Sequence, residues 1–320
     1  MQGIGRGCLT RTIVASLVIL LVLLGIGLVL GPLGASLLGI ETPFILDVSR
    51  PHVELPSKPV FDIAGFSITN TLIASWFTII VLVATFYACT RKMRRVPGRL
   101  QGVAEMLVEG LLHFVEGVAG GKHSRLLFPA VATIFIYVIA NAYLALLPFF
   151  HTVGIVGNEG EFVPLFRAAN TDINVPLSIA LMSFVFVEFW GMRSLGTFRY
   201  LSQFFNVGQL GRGVKQLFKG KLRPAITNIG FGFISLFVGL LEAFSHLIRI
   251  VSFTFRLFGN MIAAAILVLV VCFLVPLIAI IPFYGLELLI GFIQALIFAG
   301  LTLVFGAIAL APAHEESEQA

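Results

Sequence analysis

Charged side chains are scarce in this chain. Asp, Glu, Lys and Arg together make up 12% of its 320 residues, against about 25% in a soluble globular domain. With 58% hydrophobic residues and a mean hydropathy of +1.02, that shortage excludes a soluble protein with a large core and points to an integral membrane protein. Cysteine is also sparse. Cys8, Cys89 and Cys272 lie far apart, without CxxC or metal-ligand spacing, so no metal and no cofactor is expected. GxSxG, P-loop and HExxH patterns are missing; the chain is expected to bind no nucleotide and not to be an enzyme by itself. The net charge of +5 is no nucleic-acid signal, because the basic residues gather in two loops instead of covering one soluble face. The sequence shows no internal repeat and no low-complexity segment.

What is abundant is uncharged sequence in long runs. Thr12 to Ile40, Ile63 to Thr90, Leu126 to Pro148 and Ile173 to Met192 are four such runs, the last interrupted by Glu188. Pro224 to Leu301 and beyond forms two long segments parted by "VPLIAIIPFYG" at 275–285, whose prolines and glycine suit a tight reversal. Each run is near or above the roughly 20 residues that cross about 30 Å of hydrocarbon. The expected fold is therefore all-α: five core membrane helices, an extra N-terminal span, and a long, tilted hairpin of the fifth and last helices.

The loops between the runs set an orientation. "RKMRRVPGR" at 91–99 holds five basic residues and no acid, and 193–223 carries Arg193, Arg199, Arg212, Lys215, Lys219, Lys221 and Arg223, again without an acid. By the positive-inside rule both are cytoplasmic. The 41–62 loop, with Glu41, Asp47, Glu54 and Asp62 against Arg50 and Lys58, faces outward, as does 149–172, with Glu159, Glu161 and Asp172 against Arg167. The assignments alternate across the second, third and fourth spans and leave an acidic tail, 312–320, in the cytoplasm. The resulting divisions are 1–40 as an N-terminal hydrophobic segment, 41–62 as an external loop, 63–311 as the membrane domain, and the tail.

Two segments have two readings each. In "PGRLQGVAEMLVEGLLHFVEGVAGG", Leu100, Val103, Leu107, Leu111, Phe114 and Val118 recur at steps of three and four, with Glu105, Glu109 and Glu116 off the stripe. This fits a helix lying at the cytoplasmic interface; the alternative is an ordinary lead into the next span. The basic start "MQGIGRGCLTRT" resembles the n-region of a signal peptide, and "GPLGASLLG" offers small residues for cleavage. The apolar run that follows exceeds the 7–15 residues of a signal core, which favours a retained span.

The fifth helix carries the chemistry. Glu242, Ser245, Arg249, Ser252, Arg256 and Asn260 are spaced three, four, three, four and four, which places them in one stripe along an α-helix; His246 sits beside it. Six polar residues in register among Leu, Ile, Val, Phe and Ala mean that this face meets another chain, an aqueous crevice, or both. From Leu257 to Leu286 no residue is charged. An arginine in such a setting costs about 2.5–3.5 kcal/mol on insertion scales. The plain alternative is that Arg256 snorkels to an interface or pairs with a glutamate of its own chain. Because a guanidinium stays protonated in proteins, Arg256 can attract a carboxylate and keep it ionised but cannot relay a proton. The segment from Ile226 to Phe273, roughly 70 Å long as one helix, must tilt, bend or break. On the last helix Glu287 and Gln294 are seven apart, on one side; Glu287 is either a loop-proximal glutamate in contact with water or a relay group.

These motifs resemble the a subunit of F-type ATP synthases. The resemblance rests on "RLFGN" at 256–260, on "EAFSHLIRIVSFTF" before it, and on "IQALIFAGLT" at 293–302 with Gln294. It is extended by "VPGRLQGVAEMLVEGL" at 96–111 and "NTDINVPLSIAL" at 170–181. It covers about residues 60 to 311 and leaves out the first 40. It implies a proton-translocating membrane subunit in the plasma or inner membrane, set against a ring of c subunits. Each of these carries a membrane-buried carboxylate. The peripheral-stalk b subunits and the rest of the complex are further partners. Two offset half-channels, separated by Arg256, deliver and remove the proton. Glu242, Ser252, Asn260, Glu287 and Gln294 are the implied lining of the proton path.

The chain departs from the family pattern at Ala265, where many relatives carry a carboxylate or histidine nine residues after the arginine, and at Ala145. The relay on that side then rests on fewer groups or on Glu287 alone. A polytopic secondary transporter is the alternative function, but it predicts inverted repeats and broken helices in matched halves, and the sequence has neither. A purely structural membrane anchor has no need of the stripe.

Overall fold

The computed structural model describes residues 3–39, 57–63, 65–147, 149–156, 162–204, 222–275 and 279–310. The tail 312–320, most of the 41–62 loop, and 205–221 of the second basic loop lie outside the described residues. The apolar runs become helices because in hydrocarbon every backbone N–H and C=O must be satisfied within its own segment. Among the described residues, five helical stretches are long and apolar enough to cross a membrane: Asn70–Thr90, His123–Ala145, Asn174–Leu195, Thr227–Leu274 and Ile280–Leu310. These are the five expected core spans.

In chain order the helices of the described residues are α1 (Gly3–Leu30), α2 (Pro32–Leu38), α3 (Asn70–Thr90), α4 (Arg99–Ala145), α5 (Phe149–Thr152), α6 (Asn174–Leu195), α7 (Thr197–Phe204), α8 (Leu222–Leu274) and α9 (Ile280–Leu310). The N-terminal segment forms α1, with a shorter apolar stretch at Val14–Val29. Two small antiparallel hairpins, β1 (Pro59–Ile63) with β2 (Phe66–Thr69) and β3 (Gly154–Val156) with β4 (Phe162–Pro164), complete the described structure together with a 3₁₀ turn at Ala169–Thr171.

Four details differ from the sequence expectation or decide within it. The second span begins at Asn70, not near Ile63, because Ile63 pairs with Phe66 and Asp62 with Ser67 in the first hairpin. The amphipathic segment and the third span are one run of helix interrupted at Gly120 (φ 71, ψ 157). That backbone is open to glycine and costly for other residues, so it separates the amphipathic stretch from the span that follows. On that stretch Leu100, Val103 and Val118 stay exposed while Leu111 and Val115 are buried, leaving an apolar surface of the kind an interfacial helix turns to lipid.

The other two details concern the hairpin. α8 is a single helix of 53 residues, and none of its glycines takes a positive φ; a break is thereby excluded. The reversal is shorter than 275–285, since Pro282 and Gly285 already lie in α9. Pro282 falls in the first turn, where its missing N–H removes no helical hydrogen bond. Glu287 accordingly stands two turns inside the last helix instead of opening it.

The chain divides into two compact units. The first comprises Met1–Ala74, Ala142–Thr171 and Gly259–Ile293. Within it, the Asn70 backbone N–H donates to Lys58 O at 3.1 Å and its side-chain Nδ2 donates to Pro164 O at 3.3 Å. Both hairpins are thus tied to the start of α3. The second comprises Ser75–Asn141, Asp172–Phe258 and Gln294–Ala320. Its core joins Leu127, Val131 and Val138 of α4, Val187 of α6, Phe253 and Leu257 of α8, and Ala295, Phe298, Ala299 and Leu303 of α9. The Phe253 and Phe298 rings meet at 4.6 Å. Small residues and buried hydroxyls bring the helices together, as lipid supplies no hydrophobic drive between them. The buried Ser183 and Thr302 hydroxyls bond at 2.7 Å, and Ser194 Oγ donates to Ala309 O at 2.8 Å.

Candidate functional site

At 100° per residue, the stripe on α8 runs alongside the face that buries Phe253, Thr254, Leu257, Met261 and Ala264. Glu242, Ser245, Ser252, Arg256 and Asn260 are exposed along it, while His246 and Arg249 are half-buried. The exposed side of α8 otherwise presents large apolar residues, including Phe244, Leu247, Ile248, Val251 and Phe255. It is a surface suited to lipid or to another membrane helix, edged by a polar line.

Arg256 lies in the second unit. Among the described residues it makes no ion pair and no hydrogen bond, so the alternative in which it is neutralised by a glutamate of its own chain finds no support there. Ser252 is one turn before it. Glu242 is exposed and close enough for its charge to act on Tyr200. Gln294 is buried on α9.

Asn260 and Glu287 come together in the first unit. They are the polar residues lining a cavity of about 280 Å³ between the C-terminal half of α8 and the start of α9. The rest of the lining is apolar: Ala263, Ala264, Leu267 and Val268 from α8, and Phe283, Leu286 and Ile290 from α9. Glu287 is half-buried, and its Oε2 is fully enclosed without a hydrogen-bond partner among the described residues. Asn260 and Glu287 thus put two polar side chains on the wall of an otherwise apolar cavity large enough for several water molecules. The two turns by which the structure moves Glu287 inward carry it from the helix tip into this cavity.

A third polar group was not legible as a unit. Glu188 of α6, Tyr200 of α7, and His246 and Arg249 of α8 converge in the second unit. Glu188 Oε1 lies 2.6 Å from His246 Nδ1, and Tyr200 donates its hydroxyl proton to Glu188 Oε2 at 2.6 Å. Arg249 caps the cluster, its guanidinium 3.3 Å from the Phe305 ring centroid, a cation–π contact. Gly191 makes the approach of α7 possible: a Cβ there would stand 2.8 Å from Tyr200 Cε2. Burial, and then the bond to Glu188, push the Tyr200 hydroxyl well above its ordinary titration range, so it acts as a fixed donor. The signals were Glu188 alone in an apolar run and His246 beside the stripe. Nothing in the sequence marked Tyr200 as their partner.

Among the described residues no group of His, Cys, Asp and Glu side chains is arranged to hold a metal ion.

Residues 72–307 match a protein family described as ATP synthase A chain. A protein of Campylobacter jejuni subsp. doylei named ATP synthase subunit a is 32% identical over 230 residues, covering 71% of this chain and 84% of that protein. The Gloeobacter violaceus protein of the same name is 30% identical over 235 residues, covering 73% and 80%. That of Moorella thermoacetica is 26% identical over 246 residues, covering 77% and 93%.

Proposed function

The chain belongs to the ATP synthase A chain family, and on that premise we propose that this multi-pass membrane subunit is the ring-facing, proton-translocating stator of a rotary F-type ATP synthase. Its partners are the c-subunit ring, the peripheral-stalk b subunits and the bilayer of a plasma or inner membrane. The nucleotide chemistry belongs to other subunits.

The observation that carries this reading is Arg256: a permanent cation, exposed within an uncharged stretch, with no anionic partner among the described residues. A cation so placed is stabilised when a membrane-buried carboxylate of another chain passes in front of it. Attraction to the guanidinium keeps that carboxylate ionised as it crosses. Since the guanidinium does not release its proton, no proton passes directly between the two sides of Arg256.

The other stripe residues then divide about Arg256. Toward the C-terminal end of α8, Asn260 and Glu287 face the cavity that admits water. Glu287 exchanges a proton with that water and passes it to a ring carboxylate, which thereby becomes neutral and able to turn into lipid. Toward the N-terminal end, Ser252 and Glu242 line the opposite path, along which a ring carboxylic acid gives up its proton. Gln294, seven residues beyond Glu287 on α9, adds a buried polar group that does not titrate. The direction of the proton gradient decides which way the cycle runs.

Arg256→Lys tests this. Lysine is a compact ammonium that deprotonates readily when desolvated, so it can lose its proton at the ring and let protons bypass rotation. The expected result is loss of ATP-driven proton pumping with the complex still assembled. Near-normal pumping at a normal amount of assembled subunit would refute the assignment.

A further inference from the structure

The proton path just proposed leaves the Glu188–Tyr200–His246 cluster unused. The inference drawn from it rests on that proposal. Glu188 and His246 are a titratable pair inside the membrane-spanning helices, where ionisable residues are expensive and rare. Both oxygens of the carboxylate are engaged, one by His246 Nδ1 and the other by the Tyr200 hydroxyl, each at 2.6 Å. The imidazole is held edge-on by two rings, Phe184 at 6.3 Å and Phe204 at 5.3 Å. Its orientation is therefore fixed by three side chains from two elements, α6 and α7. With Nδ1 committed to Glu188, Nε2 is the remaining ring nitrogen, and it has no hydrogen-bond partner among the described residues. The pair is not sealed: the His246 and Glu188 side chains are 18% and 14% exposed.

The position matters as much as the chemistry. His246 lies four residues from Glu242 and three from Arg249, so it borders the polar stripe. It precedes Arg256 by ten residues, roughly 15 Å along the axis of α8, whereas Asn260 follows Arg256 by four. Among the described residues, the charged and titratable groups around it are Glu188 from α6, Tyr200 from α7, and Glu242 and Arg249 from α8 itself. Arg249 is turned onto Phe305, which leaves Glu188 as the anion in direct contact with the ring. A carboxylate on Nδ1 and a free Nε2 is the arrangement that lets a histidine take up and release a proton at one nitrogen while its other N–H stays anchored.

We propose that His246 is a proton carrier on the N-terminal side of Arg256, with Glu188 and Tyr200 as its positioning residues. A carboxylic acid of the ring, directly or through water, gives up its proton; the O–H bond breaks and an N–H bond forms at His246 Nε2. The imidazolium is held by the Glu188 carboxylate through Nδ1–H, while the Tyr200 hydroxyl keeps that carboxylate in place. The new N–H then breaks and the proton passes to water beyond the N-terminal end of the stripe, which regenerates the neutral ring. The reverse sequence serves ATP-driven pumping.

The test uses the whole complex in sealed inverted membranes, with proton flux normalised to the ring subunit that co-purifies with this chain. His246→Gln keeps a hydrogen-bonding group for Glu188 but cannot take up a proton. It is expected to lower flux at least about tenfold. His246→Ala is expected to lose flux similarly and to regain part of it when imidazole is added. Glu188→Gln is expected to displace the pH profile of flux, which a packing role alone would leave in place. Parent-like flux in His246→Gln would overturn the proposal. So would a loss in His246→Ala that imidazole leaves untouched, together with an unshifted pH profile in Glu188→Gln. Arg256→Lys in the same membranes separates the two levels. If it is inactive while His246→Gln is normal, only the carrier role falls. If it pumps normally, the ring-facing assignment falls first.

Discussion

Glu287→Gln removes one titratable proton site and almost no volume. The cavity of about 280 Å³ therefore keeps its size, Asn260 keeps its neighbour, and any change in flux reports on proton exchange alone. A positioned general acid–base group contributes about 10²–10⁴-fold to a proton-transfer step, or about 3–5 kcal/mol at 1.36 kcal/mol per tenfold. The structure argues for the lower end. The cavity has room for several waters, and Asn260 offers them a fixed polar contact, so a water-borne route competes with the lost carboxylate. Its walls are otherwise apolar and Ala265 supplies no substitute, so that route stays poor. The expected fall in ATP-driven proton uptake is about a hundredfold, with normal assembly. Glu287→His restores a titrating group whose ordinary pKa is near 6.5. It should recover part of the flux, with a pH dependence centred near that value. Proton uptake into inverted vesicles from each variant, compared at equal amounts of assembled subunit, reads all three. Parent-like uptake in Glu287→Gln would mean that water alone carries the proton past this point and that Glu287 only polarises the cavity wall.

Cysteines placed at Arg95 and at Lys219, the latter outside the described residues, should react with an impermeant thiol reagent only from the cytoplasmic side. Labelling from the other face of sealed vesicles would invert the orientation drawn from the basic loops. The intact mass of the mature subunit should include α1; loss of about 35 residues would identify the N-terminal segment as a cleaved signal instead. Ser183→Ala removes one partner of the buried pair with Thr302 and should cost on the order of 0.6 kcal/mol, the average for such bonds between membrane helices. A double-mutant cycle with Thr302→Val in detergent unfolding measures that coupling, and a coupling of zero would show that the two hydroxyls find other partners. Gly191→Ala should push the Tyr200 ring off Glu188, since the new methyl meets Tyr200 Cε2 at 2.8 Å. A crystal or cryo-microscopy structure of the variant with the 2.6 Å Tyr200–Glu188 bond intact would contradict this.

The parts of the fold written in runs of apolar residues were legible, because hydrophobic length alone decides whether a segment spans. The stripe on α8 was legible for a similar reason: its spacing is a property of one helix and needs no neighbour. What one helix does not specify was not legible. Pro59–Ile63 and Phe66–Thr69 form a hairpin because backbone pairing between Asp62 and Ser67 and their neighbours competes with helix formation, and that outcome depends on a turn at Gly65. Pro282 and Gly285 suit a reversal by composition, yet a proline in a first turn is equally at home in a helix. The difference moved Glu287 by two turns, from a loop edge to a cavity wall. The Glu188 cluster needed three helices to be placed at once, and each of its members alone resembles an isolated polar residue in an apolar run.

The continuity of α8 restricts how this gene can change. One residue inserted between Ser252 and Arg256 would turn everything beyond it by about 100° and shift it by 1.5 Å. Arg256 and Asn260 would then leave the line shared by Glu242, Ser245 and Ser252. An insertion of seven restores the facing to within about 20°, but it displaces Asn260 by roughly 10 Å along the axis, away from a cavity whose other wall belongs to α9. No indel between residues 242 and 260 preserves both facing and depth. Over that stretch the sequence can drift by substitution alone, and differences in length among descendants of this gene should collect outside it.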